Sequence, residues 1–236
     1  MPFERIKSTT KLIALAAAMA ATSVSASPFG GLGGFGGGSQ SSQSSNQTDT
    51  MSPADLESHY SELNHRFDVA MIEMLIAQSY TVAALGDKQE ADKLKTQADS
   101  LNGVNDLNTV SRSISVSQDA SAEIDSKMAQ ASALDGDGRA NLAQAVPHYG
   151  LGMVSGVQLP AAYADWAKNA QHTADRLKSN PMNLGAGVKL GREVHDVTEV
   201  TTHLPALIAT WTDTTHNFIK FSQKNKVDTG DLSSKI

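Results

Sequence analysis

The sequence predicts an all-α fold: a bundle of four to five helices with coiled-coil-like seams, preceded by a Gly/Ser-rich tether. Three observations lead there. Apolar residues recur at alternating spacings of three and four through most of residues 53–225, which draws single stripes along helices. The chain has no Cys, so a stable domain must rest on a hydrophobic core rather than on disulfides. Polar, Gly-rich sequence is confined to one block ahead of the first stripe.

Residues 1–26, MPFERIKSTTKLIALAAAMAATSVSA, are read as a secretory signal peptide. Arg5, Lys7 and Lys11 precede an apolar run from Leu12 to Ala21, and Val24-Ser25-Ala26 supplies the small-x-small ending. The run is shorter than the roughly 20 residues a transmembrane helix needs. Loss of these residues removes three cations and one anion (Glu4), which takes the net charge from -6 to -8. Residues 27–52 are read as a flexible linker of Gly, Ser and Gln. Such a composition cannot bury enough surface to offset its chain entropy. Phe29, Leu32 and Phe35 are its sizeable apolar groups and its candidate contacts to a partner.

The helical domain is expected over residues 53–225. Leu56, Tyr60, Leu63, Phe67, Ala70, Met74, Ala77 and Thr81 form the first stripe. Ser52 is placed to cap it, Pro53 to occupy its first turn, and Gly86 to stop it. A short helix over 87–101 follows, with Ala91, Leu94, Ala98 and Leu101 inward. A third, over 106–134, reads Leu107, Val110, Ile114, Ser117, Ser121, Ile124, Met128, Ala131; its two Ser predict a thin, close-packed seam. The DGDG at 135–138 ends that helix and caps the next. It lacks the acidic spacing of a calcium loop, with Gln144 where a bidentate Glu would be required.

Residues Ala140 to Ala164 contain no Asp, Glu, Lys or Arg. A stripe of Leu142, Ala145, Tyr149, Gly152, Gly156, Leu159, Tyr163, Trp166, Ala170, Thr173 and Leu177 crosses this run without a break. A central core helix with kinks at Pro147 and Pro160 is therefore expected, with Gly152 and Gly156 at its closest helix contact. Gly185, Gly187 and Gly191 repeat the spacing of Gly150, Gly152 and Gly156 and are assigned to a loop. The last long helix is expected over 193–224, kinked or restarted at Pro205, and residues 226–236 are expected to form a loose tail. The core should comprise Tyr60, Phe67, Met74, Tyr149, Leu159, Trp166, Leu204, Trp211 and Phe218.

His195, Glu199 and His203, spaced four and four, are candidate metal ligands. At about 100° per residue, however, they wind across the water-facing side of their helix. No carboxylate pair, Ser–His–Asp arrangement or phosphate loop stands out. The glycines of the charge-free run miss both the dinucleotide and the nucleophile-elbow spacing. The acidic charge argues against nucleic acid. The expectation is an exported, periplasmic or secreted, non-enzymatic bundle without cofactor. It would act by binding or as a scaffold, through a protein partner or self-association, with Gly152 and Gly156 the other candidate contact residues. A membrane-active, pore-forming-like protein is the alternative, and a metal or small-cofactor carrier a third reading.

Overall fold

The computed structural model describes residues 51–101, 107–179 and 181–236. Residues 1–50, which include the expected signal peptide and most of the expected linker with Phe29, Leu32 and Phe35, lie outside the described residues. The described chain is all-α, with six α-helices and no strand among the described residues: α1 (Pro53–Ala84), α2 (Lys88–Ser100), α3 (Leu107–Gln130), α4 (Gly136–Gly156), α5 (Leu159–Lys178) and α6 (Leu184–Lys224).

Local chemistry sets the helix ends. The Ser52 Oγ accepts from the Asp55 amide at 3.2 Å and caps α1. Gly86 leaves α1 with φ 92°, a left-handed conformation that a Cβ disfavours. Asp87 accepts from the Glu90 amide at 3.0 Å and starts α2, while its other oxygen takes Lys127 Nζ at 2.7 Å and ties the turn to α3. Asp135 caps α4 through the Gly138 amide at 2.7 Å.

Hydrogen-bonded pairs give the topology. Gln78 meets Ser117 and Ser121, and Asp87 meets Lys127, so α1 and α3 run parallel, with α2 returning between them. Thr81 meets Tyr149, Asn64 meets Tyr163, and the Leu56 carbonyl meets Trp166, so α4 and α5 descend antiparallel along the whole of α1. Ser117 meets Trp211, and Asp125 meets Thr214 and Asn217 further along, which sets α6 parallel to α3. The chain thus goes up, down, up, down and up. The expected core side chains are buried, except Tyr60, which is partly buried and stacks on Trp166 with ring centroids 5.0 Å apart.

The stripe from Leu142 to Leu177 runs through α4 and α5, but the two helices are separated at residues 157–158. Pro160 cannot donate back to Gly156, and it sits in the first turn of α5, where the missing N–H costs nothing. Pro147, by contrast, stays inside α4. Pro147 and Ala143 are both exposed, so water reaches the side of the helix where the bond is lost.

Two expectations are corrected. The segment 184–192 is helix, not loop: α6 starts at Leu184, and Pro205 lies inside it without ending it. A Cβ on Gly187 would stand 3.1 Å from both the Ala174 carbonyl oxygen and the Lys178 amide. Glycine is therefore used there for close approach of α6 to α5, and its low helix propensity is overridden by packing. Nor are residues 226–236 loose. Asn225 Oδ1 accepts from the Leu134 amide at 2.9 Å, Val227 and Leu232 are buried, and a short 3-10 turn (Leu232–Ser234) packs on α4 beside Gly150.

Gly152 and Gly156 both sit in tight contacts, although Gly138 and Gly187 approach neighbouring backbone more closely. A Cβ on Gly152 would lie 3.3 Å from the Met74 amide and 3.4 Å from the Ala70 carbonyl, both on α1. On Gly156 it would lie 3.0 Å from Trp211 Cζ3, on α6. Gly152→Leu and Gly156→Leu should each destabilise the fold by about 1–3 kcal/mol or more through overpacking. Thermal unfolding checks this; midpoints equal to the parent's would place the glycines outside the load of the core.

Candidate functional site

Near the end of α1, three helices share a buried polar junction, and a fourth packs against its indole. Gln78 Nε2, on α1, donates to the Ser117 carbonyl at 2.8 Å and to Ser121 Oγ at 2.9 Å, both on α3. Ser117 Oγ donates back to Gln78 Oε1 at 3.0 Å and accepts Trp211 Nε1, on α6, at 2.9 Å. Gly156, on α4, lies against the Trp211 ring. The Ser pair in the α3 stripe is thus a docking place for polar groups of α1 and α6, and every polar atom of Gln78 and Trp211 is matched there. Nearby, Thr81 and Tyr149 hydroxyls lie 3.4 Å apart and the Tyr149 ring meets Phe218 with centroids 4.5 Å apart. Burial pushes the Tyr149 and Tyr163 hydroxyls well above their ordinary range, so both stay protonated.

The charge-free run has two sides. Leu142, Ala145, Tyr149, Gly152, Met153, Gly156, Leu159 and Tyr163 face the bundle and are buried. Outward lie Ala143, Pro147, Leu151, Val157, Ala161 and Ala164, with Gln144 and Gln158. Leu151 is 54% exposed and Val157 41%. This uncharged outer strip extends about 30 Å by helix rise. Burial does not explain its lack of charge, because the strip faces water. Among the described residues, the helix long and apolar enough to cross a membrane is α1, most of whose apolar window is buried in the bundle.

Sequence reasoning missed two half-buried groups. His148 Nδ1 lies 2.6 Å from Glu73 Oε2, and its ring stacks on Tyr80 with centroids 5.6 Å apart, which clasps α4 to α1. The partners are 75 positions apart, beyond any local pattern. Asp68, on α1, is the other. Burial pushes its carboxyl up to about 6, with the nearby His65 charge pulling the other way.

Of the candidate metal ligands, His195 and His203 stand on exposed positions of α6, and the Glu199 side chain lies outside the described residues. Among the described residues no group of three His, Asp or Glu could hold a metal ion. His195 instead lines an open cleft of about 490 Å³ with Lys178, Val188, Gly191 and Arg192, where the end of α5 meets the start of α6. A second open cleft, of about 570 Å³, lies between the α1–α2 turn and residues 130–135. No protein-family model, curated protein or solved structure matches the chain.

The raised Asp68 carboxyl gives a pH signature. Its folded value lies above the unfolded 3.8, so its contribution is intact below pH about 4 and lost as pH rises through about 6. Asp68→Asn should stabilise the protein at pH about 8 by on the order of 1 kcal/mol, after allowance for water at the rim of the site, and have no such effect at pH about 4. Urea unfolding at the two pH values checks the difference. An equal effect at both would show that Asp68 is not strained by burial.

Proposed function

We propose that this is an exported, non-enzymatic helical-bundle protein that works by binding a protein partner on the outer strip of α4 and α5. The observation that carries the proposal is the strip itself. Water-facing positions of a helix ordinarily carry charge, yet Ala143, Pro147, Leu151, Val157, Ala161 and Ala164 are apolar and exposed together. A contiguous apolar surface on a folded domain marks an interaction site. Leu151 and Val157 are its largest exposed side chains and would be its anchors.

Two further features support the reading. At the central junction the polar groups bond to one another: Gln78, Ser117, Ser121 and Trp211 form a set that holds α1, α3 and α6 together. Residues 1–26 have the layout of a signal peptide, and residues 27–52 that of a spacer, which would let the bundle move relative to whatever its start engages. Export, the partner and the absence of catalysis are proposals on these grounds.

The test is a pull-down from the native envelope with the mature chain, run beside a Leu151→Asp/Val157→Asp variant. Both positions are exposed, so the variant should unfold at the parent's temperature. The proposal expects proteins that co-purify with the parent and are lost with the variant. The same set captured by both would rule out the strip as the binding face. Sedimentation of the purified chain identifies the case in which the lost partner is a second copy.

A further inference from the structure

A separate surface lies at the tip of the α5–α6 hairpin. Although the chain carries a net charge of -6, the stretch Arg176 to Arg192 contains Arg176, Lys178, Lys189 and Arg192 and no acidic residue. The structure gathers this charge around one turn. Lys178, Arg192 and His195 surround Val188 and Gly191 in the open cleft of about 490 Å³. Lys189, on the same turn of α6, is held by Glu57 at 3.0 Å and Glu193 at 3.7 Å. Lys178 pairs with Asp175 at a longer 3.7 Å.

The same tip presents apolar side chains to water. Met182, in the 3-10 turn Pro181–Asn183 between the helices, is 93% exposed, and Val188 is 44% exposed. With Leu151 and Val157, these are the large exposed apolar side chains among the described residues. Two of that set therefore stand in this acid-free cationic segment. The Gly187 contact, with a Cβ position 3.1 Å from the Ala174 carbonyl, draws the two helices together and so fixes how the tip is presented.

We propose that the α5–α6 tip docks on an anionic phospholipid surface. Lys178, Arg192 and the His195 ring N–H would take headgroup phosphates at the cleft, while Met182, with Val188 behind it, would enter the interfacial layer. Charge complementarity selects the partner. An acidic chain is repelled by an anionic bilayer except where its cations are concentrated, and each cation near such a surface adds binding. The apolar apex distinguishes a bilayer from an acidic polypeptide. Met182 is almost fully exposed in the 3-10 turn, and an exposed apolar side chain in a cationic segment suits the headgroup–acyl boundary. This surface is independent of the α4–α5 strip.

Vesicle flotation of the mature chain tests the proposal, with phosphatidylcholine vesicles and with vesicles that also contain phosphatidylglycerol. Binding should require phosphatidylglycerol and fall as salt rises. Lys178→Gln/Arg192→Gln should weaken it roughly thirtyfold at low salt, on the usual contribution of a cation near an anionic surface. Met182→Ser should weaken it at unchanged salt dependence, and the indole introduced by Met182→Trp should be quenched by brominated lipid. The altered positions are exposed, so unfolding temperatures should match the parent's. Equal binding to both vesicle types, no vesicle binding, or binding indifferent to Lys178→Gln/Arg192→Gln would overturn the proposal. So would saturation of the cleft by inorganic phosphate alone without vesicle binding, or binding of a soluble acidic polypeptide in place of vesicles.

Discussion

The bundle depends on one contact: the Trp211 ring lying against Gly156 while its Nε1 donates to Ser117. A ring of that size can sit between α3, α4 and α6 only because α4 offers no Cβ at that point and α3 offers a short hydroxyl. Ser117 passes the bond on to Gln78 of α1. Three helices, α1, α3 and α6, are thus tied by a set of buried polar groups that satisfy one another, and α4 packs on the same indole through Gly156. Unmet, the same groups would each cost about 1–3 kcal/mol. That asymmetry gives the junction its specificity, since an apolar seam would tolerate a helix shifted by one turn and this one would not.

The same economy of side-chain volume recurs down the long axis. Gly152 brings α4 onto α1, Gly156 brings it onto α6, and Gly187 brings α6 onto α5. Close backbone approach leaves little room for ionised side chains on the inward faces, which accounts for half of the charge-free run. Its outer half, from Ala143 to Ala164, has no such cause. The bundle therefore shows two unlike surfaces: an uncharged strip along α4 and α5, and a cationic apex with an exposed Met182.

Much of the helical layout was legible in the sequence, because alternating three–four spacing reports which side of a helix is buried. Leu56 to Thr81 lines the inward side as read, with Tyr60 only partly buried, whereas Leu142 to Leu177 keeps its inward side but is divided between α4 and α5 at residues 157–158 rather than kinked within one helix. Caps and stops at Ser52, Gly86 and Asp135 were legible because their chemistry is local. The start of α6 was not. Gly185, Gly187 and Gly191 lower intrinsic helix propensity, and only the packing of Gly187 on α5 explains why helix forms there. The tail was misread for a similar reason: Val227 and Leu232 are too few to form a stripe, yet they are buried. The Glu73–His148 clasp and the Gln78–Ser117 bonds join residues far apart in the chain, and no spacing rule reaches them. The cationic cleft was hidden for the same reason, since Lys178 and His195 come from different helices.

A double-mutant cycle between Gln78 and Trp211 tests the central junction most directly. The two side chains share Ser117 without bonding each other. Gln78→Met keeps the length of the side chain and should cost about 1–3 kcal/mol in urea unfolding; Trp211→Phe removes the donor together with part of the buried ring and should cost that much plus a cavity contribution. If Ser117 couples them, the double variant should depart from the sum by more than about 0.5 kcal/mol. Strict additivity would contradict the account, because it would mean that α1 and α6 are seated independently and that the junction is not what aligns them.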